Sequence, residues 1–273
     1  MENLDIATLA NLLQEAAVKE ILPRFRNLEE GDVRMKTEAI DLVTEGDEAA
    51  ERLIGARIAE IMPDALFIGE EAVASDPALL DKIQGADLAV IVDPIDGTFN
   101  FAAGLPLFGV MLSVVSKGET VAGIIYDPIG NDWVIAEKGS GAWSIRPDGM
   151  QTQLEVVPGV PLEQMVGIAN TSYVALEERR QLLARLADVR LFTSYRCAAH
   201  EYRTFVGGHF HFLMYRKLMP WDHLAGVLIA QEAGAHAARL DGSPYLPHHT
   251  DGGLLVACDQ DAWDELAEKV FNG

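Results

Sequence analysis

The run Asp93-Pro94-Ile95-Asp96-Gly97-Thr98-Phe99-Asn100 puts two carboxylates, a glycine and a hydroxyl directly after the apolar segment 88–92. Pro94 bars a regular continuation of a strand ladder, so the spacing predicts a tight turn from which Asp93 and Asp96 point at one spot. Gly97 lets backbone N–H groups approach an anion closely, and Thr98 adds its hydroxyl. Carboxylates and a backbone carbonyl are the hard oxygen ligands that Mg²⁺ prefers. A turn that merely closes a strand can have the same residues, so the run alone does not decide.

Other acids stand in similar places. Glu70, in Gly69-Glu70-Glu71, follows Leu66-Phe67-Ile68 and so reaches a strand end, although such a triplet also reads as a solvated turn. Asp222 follows Pro220-Trp221 at the head of an apolar helix, where an aspartate equally serves the free N–H groups and the dipole. Asp47 closes a Thr44-x-x-Asp47 pattern, which by itself is a helix capping box. His209 and His211 alternate on an expected strand, with one facing solvent, which argues against a metal pair. His248-His249 reads as a polar loop.

These residues need elements to hold them. Ile6, Leu9, Leu13, Ala16 and Ala17 recur at helical spacing before Pro23, and Ala50, Leu53, Ile54, Ile58 and Ile61 mark a helix from about Thr44 to Pro63. Segments 66–68 and 88–92 read as buried strands. Strands over 110–116, 120–126, 133–137 and 142–145, separated by turn sequences, predict an antiparallel meander. Beyond Pro147-Asp148-Gly149, strands at 166–169, 191–195, 209–214, 235–240 and 254–257 alternate with helices over 177–187, from Ala198, over 221–233 and from Trp263. The prediction is a layered α/β fold in two halves joined near 146–160. Residues 1–147 carry the antiparallel sheet and most of the acids, residues 148–273 carry Asp222, and a small-molecule cleft lies between them.

Composition narrows the partners. The chain has 273 residues, 21 Lys plus Arg against 42 Asp plus Glu, and a net charge of −21. That field repels nucleic acid and anionic membrane, and it also repels a phosphorylated substrate unless bound cations compensate. Two cysteines, Cys197 and Cys258, exclude a disulfide scaffold and a cysteine-rich zinc site. With no basic-plus-apolar leader and no run of 18 apolar residues, a cytoplasmic protein is the simplest expectation.

The acidic segments keep one order and spacing: Lys36 with Asp41-Leu-Val-Thr44-x-x-Asp47, Gly69-Glu70-Glu71, Asp93-Pro-Ile-Asp-Gly-Thr98-x-Asn100-Phe101, and Trp221-Asp222-x-x-Ala225-Gly226. In this the chain resembles the inositol monophosphatase family, within the lithium-sensitive, metal-dependent sugar and nucleotide phosphatases. The resemblance covers essentially the whole chain. It implies an alternating α-β-α-β-α sandwich, a homodimer, and Mg²⁺-dependent hydrolysis of a small phosphomonoester by an activated water. Carried over by position, Glu70, Asp93, the Ile95 carbonyl, Asp96 and Asp222 hold two Mg²⁺, with a third, weaker ion leaning on Glu70. Glu70, Asp47 and Thr98 are the catalytic set, and Asp96, Gly97, Thr98, Arg196, Ala198 and Asp222 meet the substrate.

Two positions depart from the family pattern. Arg196 replaces the glycine of a Gly-[Ser/Thr]-Ala-Ala segment, and Tyr215 replaces a glutamate that grips sugar hydroxyls. Both lie where the leaving alcohol is recognised, and Arg196 is suited either to a second anionic group or to a structural carboxylate. A nucleotide bisphosphate, histidinol phosphate or fructose bisphosphate is therefore the alternative substrate. The alternative of another class is an RNA- or transcription-associated binding protein, which the complete ligand set and the negative charge oppose.

Overall fold

In the computed structural model, which describes residues 5–37 and 39–271, Asp5 caps α1 (Ile6–Ala16) by accepting from the Thr8 N–H, and Leu9, Leu12, Leu13 and Ala16 are buried. A short antiparallel pair, β1 (Val33–Met35) and β2 (Leu42–Thr44), leads into α2 (Glu45–Ile61). There follow β3 (Leu66–Gly69), α3 (Glu70–Ser75), β4 (Leu88–Asp96) and α4 (Thr98–Ala102). The meander is β5 (Gly109–Ser116), β6 (Glu119–Asp127), β7 (Asp132–Glu137), β8 (Ala142–Ile145) and β9 (Gln151–Leu154). The remainder is β10 (Val166–Ala169), α5 (Leu176–Leu186), β11 (Leu191–Thr193), α6 (Ala198–Val206), β12 (Phe212–Tyr215), α7 (Pro220–Glu232), β13 (His236–Arg239), β14 (Leu254–Ala257) and α8 (Gln260–Leu266).

Strands β3 to β9 form one seven-stranded sheet in chain order, antiparallel except for the parallel β3–β4 pair. A five-stranded sheet has the order β11-β10-β12-β14-β13. Helices α1 and α2 cover one face of the large sheet, α6 and α7 lie between the sheets, and α5 and α8 cover the outer face of the small one. This is the alternating α-β-α-β-α sandwich. Strand β4 is buried on both faces: Val90 and Val92 pack toward α1 and α2, while Ala89 and Ile91 pack with Trp221 and Leu224 of α7. That explains its unbroken apolar sequence.

Helix α7 presses on the large sheet where there is no side chain. A Cβ on Gly123 of β6 would come within 2.8 Å of the Ala225 carbonyl oxygen. On its far side a Cβ at Gly226 would meet the Tyr202 ring of α6 at 2.2 Å. These contacts fix the height and rotation of the helix that carries Asp222. Arg203 of α6 adds ion pairs to Asp127 and Asp132 around the β6–β7 turn.

Some elements differ from the sequence expectation. His209 and His211 precede β12, which starts at Phe212, and the His211 Nδ1 accepts from the Val166 N–H at 3.1 Å. The alternation read there belongs to a bend tied to β10. Strand β9 lies in the segment expected to join the two halves; Gln151-Thr-Gln-Leu154 is polar and mostly exposed, as suits the sheet edge it forms. Helix α8 starts at Gln260, ahead of Trp263, because Asp259 accepts from the Ala262 N–H and caps it. Among the described residues no helix is long and apolar enough to cross a membrane.

Candidate active site

The site is built on the end of β4. Its pairing with β5 shifts register between Asp93, opposite Met111, and Asp96, opposite Gly109, as Pro94 requires. Gly97 then turns left-handed (φ 86°) under a strap of residues 195–197. A Cβ there would press within 2.9 Å of the Leu107 carbonyl oxygen and 3.0 Å of Cys197. Asn100 holds the strap down, its side-chain amide donating to the carbonyls of Leu107 and Tyr195 at 2.9 and 2.8 Å.

Asp93, Asp96 and Asp222 converge, with one carboxylate oxygen from each within 4.8 Å of the others. Asp93 and Asp96 are buried, and Asp222 comes in from the first turn of α7. Burial pushes Asp93 well above the ordinary carboxylate range, and the charges of Glu70, Asp96 and Asp222 push further. Asp222 is raised for the same reasons: burial first, then Glu70 and Asp96. Asp96 is raised by burial too, but less freely, because the Ala199 N–H (2.5 Å) and the Cys197 thiol (3.1 Å) donate to its Oδ2. Three carboxylates held this close favour protonation or a cation.

Glu70 opens α3 and is positioned from two sides. Glu51 of α2 receives the N–H groups of Glu71 and Ala72 at 2.8 Å each, and so anchors the start of the helix. A Cβ on Gly69 would collide with that carboxylate, so the glycine makes room for it. Lys36 bonds Glu70 at 2.7 Å and Glu71 at 2.6 Å. Burial works against the charge on Lys36, but these two glutamates outweigh it and hold its pKa above the usual range.

Thr98 lies 3.1 Å from Asp47 Oδ1 and 2.9 Å from the Ile95 carbonyl oxygen, with one proton to donate between them. The other Asp47 oxygen accepts from the Thr44 N–H (2.8 Å) and hydroxyl (2.5 Å). The capping box and the site therefore share one carboxylate. Burial raises Asp47 to about 7, and nearby Glu70 adds to the effect. Asp47 is fully buried and reaches the cleft through Thr98.

A cleft of about 170 Å³ opens above the acids, and Glu70, Asp96, Gly97, Thr98, Arg196 and Ala198 are all on its wall. Sequence reasoning missed three residues that share it. Glu201 of α6, 2% exposed, accepts from the Tyr195 N–H (2.8 Å) and the Ser194 hydroxyl (3.2 Å). Burial, helped by the charge of Asp96, raises it to about 7. Lys217 and His223 complete the set. His223 bonds the Lys217 carbonyl at 3.0 Å and the Tyr202 hydroxyl at 3.3 Å, and burial lowers it to about 4, so it is neutral. His200 sits against the Phe108 carbonyl at 3.1 Å, near enough to Asp96 for its charge to be felt there. A helical period exposes none of these roles, because each depends on the second sheet.

A sequence model of the inositol monophosphatase family matches residues 2–272. The chain belongs to that family. It is 33% identical over 219 residues to a fructose-1,6-bisphosphatase/inositol-1-monophosphatase of Thermotoga maritima, covering 77% of this chain and 76% of the relative. It is 30% identical over 239 residues to a protein of Pasteurella multocida named Nus factor SuhB, covering 84% and 82%. Among solved structures, a Thermotoga maritima IMPase superposes with a TM-score of 0.81 at 26% identity, over 98% of this chain and 96% of that one. The family is one of metal-dependent phosphatases, and the donors here suit a hard divalent cation: oxygen only, convergent, and mutually repelling without one.

Proposed function

We propose that this chain hydrolyses a small phosphomonoester with Mg²⁺, held by Glu70, Asp93, the Ile95 carbonyl, Asp96 and Asp222. The observation that carries the reading is the convergence of Asp93, Asp96 and Asp222 within 4.8 Å at the foot of a cleft. When bound, such ions lower the pKa of a water and neutralise charge on the phosphate and the leaving oxygen. The chain's own residues do the rest. Thr98, backed by Asp47, orients the attacking water and offers it a proton acceptor. Glu70, fixed by Lys36, is the nearby general base. The N–H groups of Gly97 and Thr98 and the start of α6 at Ala198 receive phosphate oxygens, and Cys197 and Ala199 keep Asp96 aimed.

With its net charge of −21, the chain suits a small phosphorylated metabolite better than nucleic acid. Asp96→Asn is expected to abolish Mg²⁺-dependent phosphate release and to shrink the rise in melting temperature that Mg²⁺ gives the wild type, with circular dichroism unchanged. Full activity in that variant, or in the wild type with excess EDTA, would overturn the proposal.

A further inference from the structure

The cleft wall carries both signs of charge. Glu70, Asp96 and Asp222 line it. So do Arg196 and Lys217, each seated on an aromatic ring: the Arg196 guanidinium carbon is 3.4 Å from the centre of the Phe99 ring, and the Lys217 ammonium is 5.3 Å from that of Tyr173. Among the described residues neither forms an ion pair, although carboxylates outnumber cations two to one in the chain. Burial lowers the Arg196 pKa, and no carboxylate is among the causes that oppose it. A carboxylate partner for Arg196 is thus absent from the described residues.

Both cations are tethered to the acids. Arg196 is three residues from Ala199, whose N–H bonds Asp96, so the chain keeps them within about 10 Å. The Lys217 carbonyl is bonded by His223, the neighbour of Asp222, and the Lys217 charge opposes the upward shift of Asp222. Arg196 is also held left-handed (φ 55°), a conformation unfavourable for a non-glycine residue that persists where surrounding structure enforces it. Here the enforcement is the Asn100 bond to the Tyr195 carbonyl on one side and the Asp96 bonds to Cys197 and Ala199 on the other. A planar guanidinium fixed on a ring face is ready to bind an oxyanion with little further ordering.

We propose that Arg196 and Lys217 recognise a second anionic group, phosphate or carboxylate, on the leaving-group half of the substrate. This rests on the phosphatase reading and adds a substrate class to it: a phosphomonoester that is anionic at both ends. The scissile phosphate lies over the acids, and the second anion spans the cleft to the two cations. The Tyr215 hydroxyl, on a side chain 3% exposed, lines the same cleft and interacts with the Glu201 carboxylate, so the two together offer a polar site for a hydroxyl in the middle of such a molecule. Charge-assisted contacts of this kind change specificity by about tenfold to a hundredfold.

The test measures kcat/KM with Mg²⁺ for fructose 1,6-bisphosphate (second phosphate), 3-phosphoglycerate (carboxylate) and glycerol 2-phosphate (neither). The wild type is expected to prefer at least one of the first two, and which one identifies the anion. In Arg196→Gly/Lys217→Met the ratio of that value to the glycerol 2-phosphate value should fall at least tenfold, mainly through KM. Arg196→Lys, which keeps the charge, should restore part of it. A ratio constant within twofold, or no wild-type preference, overturns the inference while glycerol 2-phosphate turnover still supports the phosphatase reading. No turnover of any of the three overturns both.

Discussion

Glu201→Gln probes the electrostatics of the cleft through stability. The carboxyl is raised from 4.5 to about 7, with burial as the main cause. A carboxyl raised in the folded state favours the fold while it is protonated, and that advantage is lost as pH climbs from the unfolded value through the folded one. At 1.36 kcal/mol per pH unit the full loss is about 3.4 kcal/mol; it has reached about 1.4 kcal/mol by about pH 5.5 and is nearly complete by about pH 8.5. Glu201 therefore withdraws about 2 kcal/mol of stability between those two pH values, a window chosen above the isoelectric point of about 4.6. Glutamine keeps the shape, and its carbonyl can still accept from Tyr195 and Ser194, but it does not ionise. Urea unfolding in EDTA at the two pH values should show the variant gaining about 2 kcal/mol on the wild type as pH rises. Titrating groups not coupled to Glu201 cancel in that difference, and Asp96 is the neighbouring carboxylate that is coupled to it. A difference that does not change with pH refutes the argument, and one that shrinks means the ionised carboxylate is itself stabilising.

Two further perturbations test the scaffold. Gly226→Ala puts a methyl group 2.2 Å from the fully buried Tyr202 ring, so α6 and α7 must separate. It should cost about 1–3 kcal/mol in urea unfolding and raise the Mg²⁺ concentration needed for half-maximal activity, because Asp222 rides on α7; an unchanged midpoint would show that the helices have slack there. Lys36→Met leaves Glu70 and Glu71 facing each other without a cation and should lower stability in EDTA by about 1–3 kcal/mol, discounted for partial exposure. Because Mg²⁺ supplies charge at the same place, the rise in melting temperature on adding it should be larger in this variant than in the wild type. An equal or smaller rise would mean that Lys36 does not compensate Glu70.

What the sequence could say about this site follows from where each residue gets its meaning. Asp93 and Asp96 were legible because an apolar run, a proline and a glycine punctuate them locally, and the structure keeps that order as strand, bulge and left-handed turn. Asp47 was legible only as an ambiguity, a helix cap or a site residue. The structure dissolves the choice, since one oxygen caps α2 and the other meets Thr98. Glu201 and Lys217 carried no local signal. On α6 a glutamate has the pattern of a solvent-facing residue, and a lysine after a strand has that of a turn. Each acquires a role only when the small sheet and α7 dock against β4 to β6 and close the cleft. The division has a physical basis. Metal ligands must be delivered by strand ends and helix starts, which leave local marks, whereas the leaving-group side is formed from whatever the second sheet presents. Residues there, such as Arg196 and Tyr215, can change without disturbing β4. On this reasoning, specificity in this fold varies independently of the hydrolytic machinery.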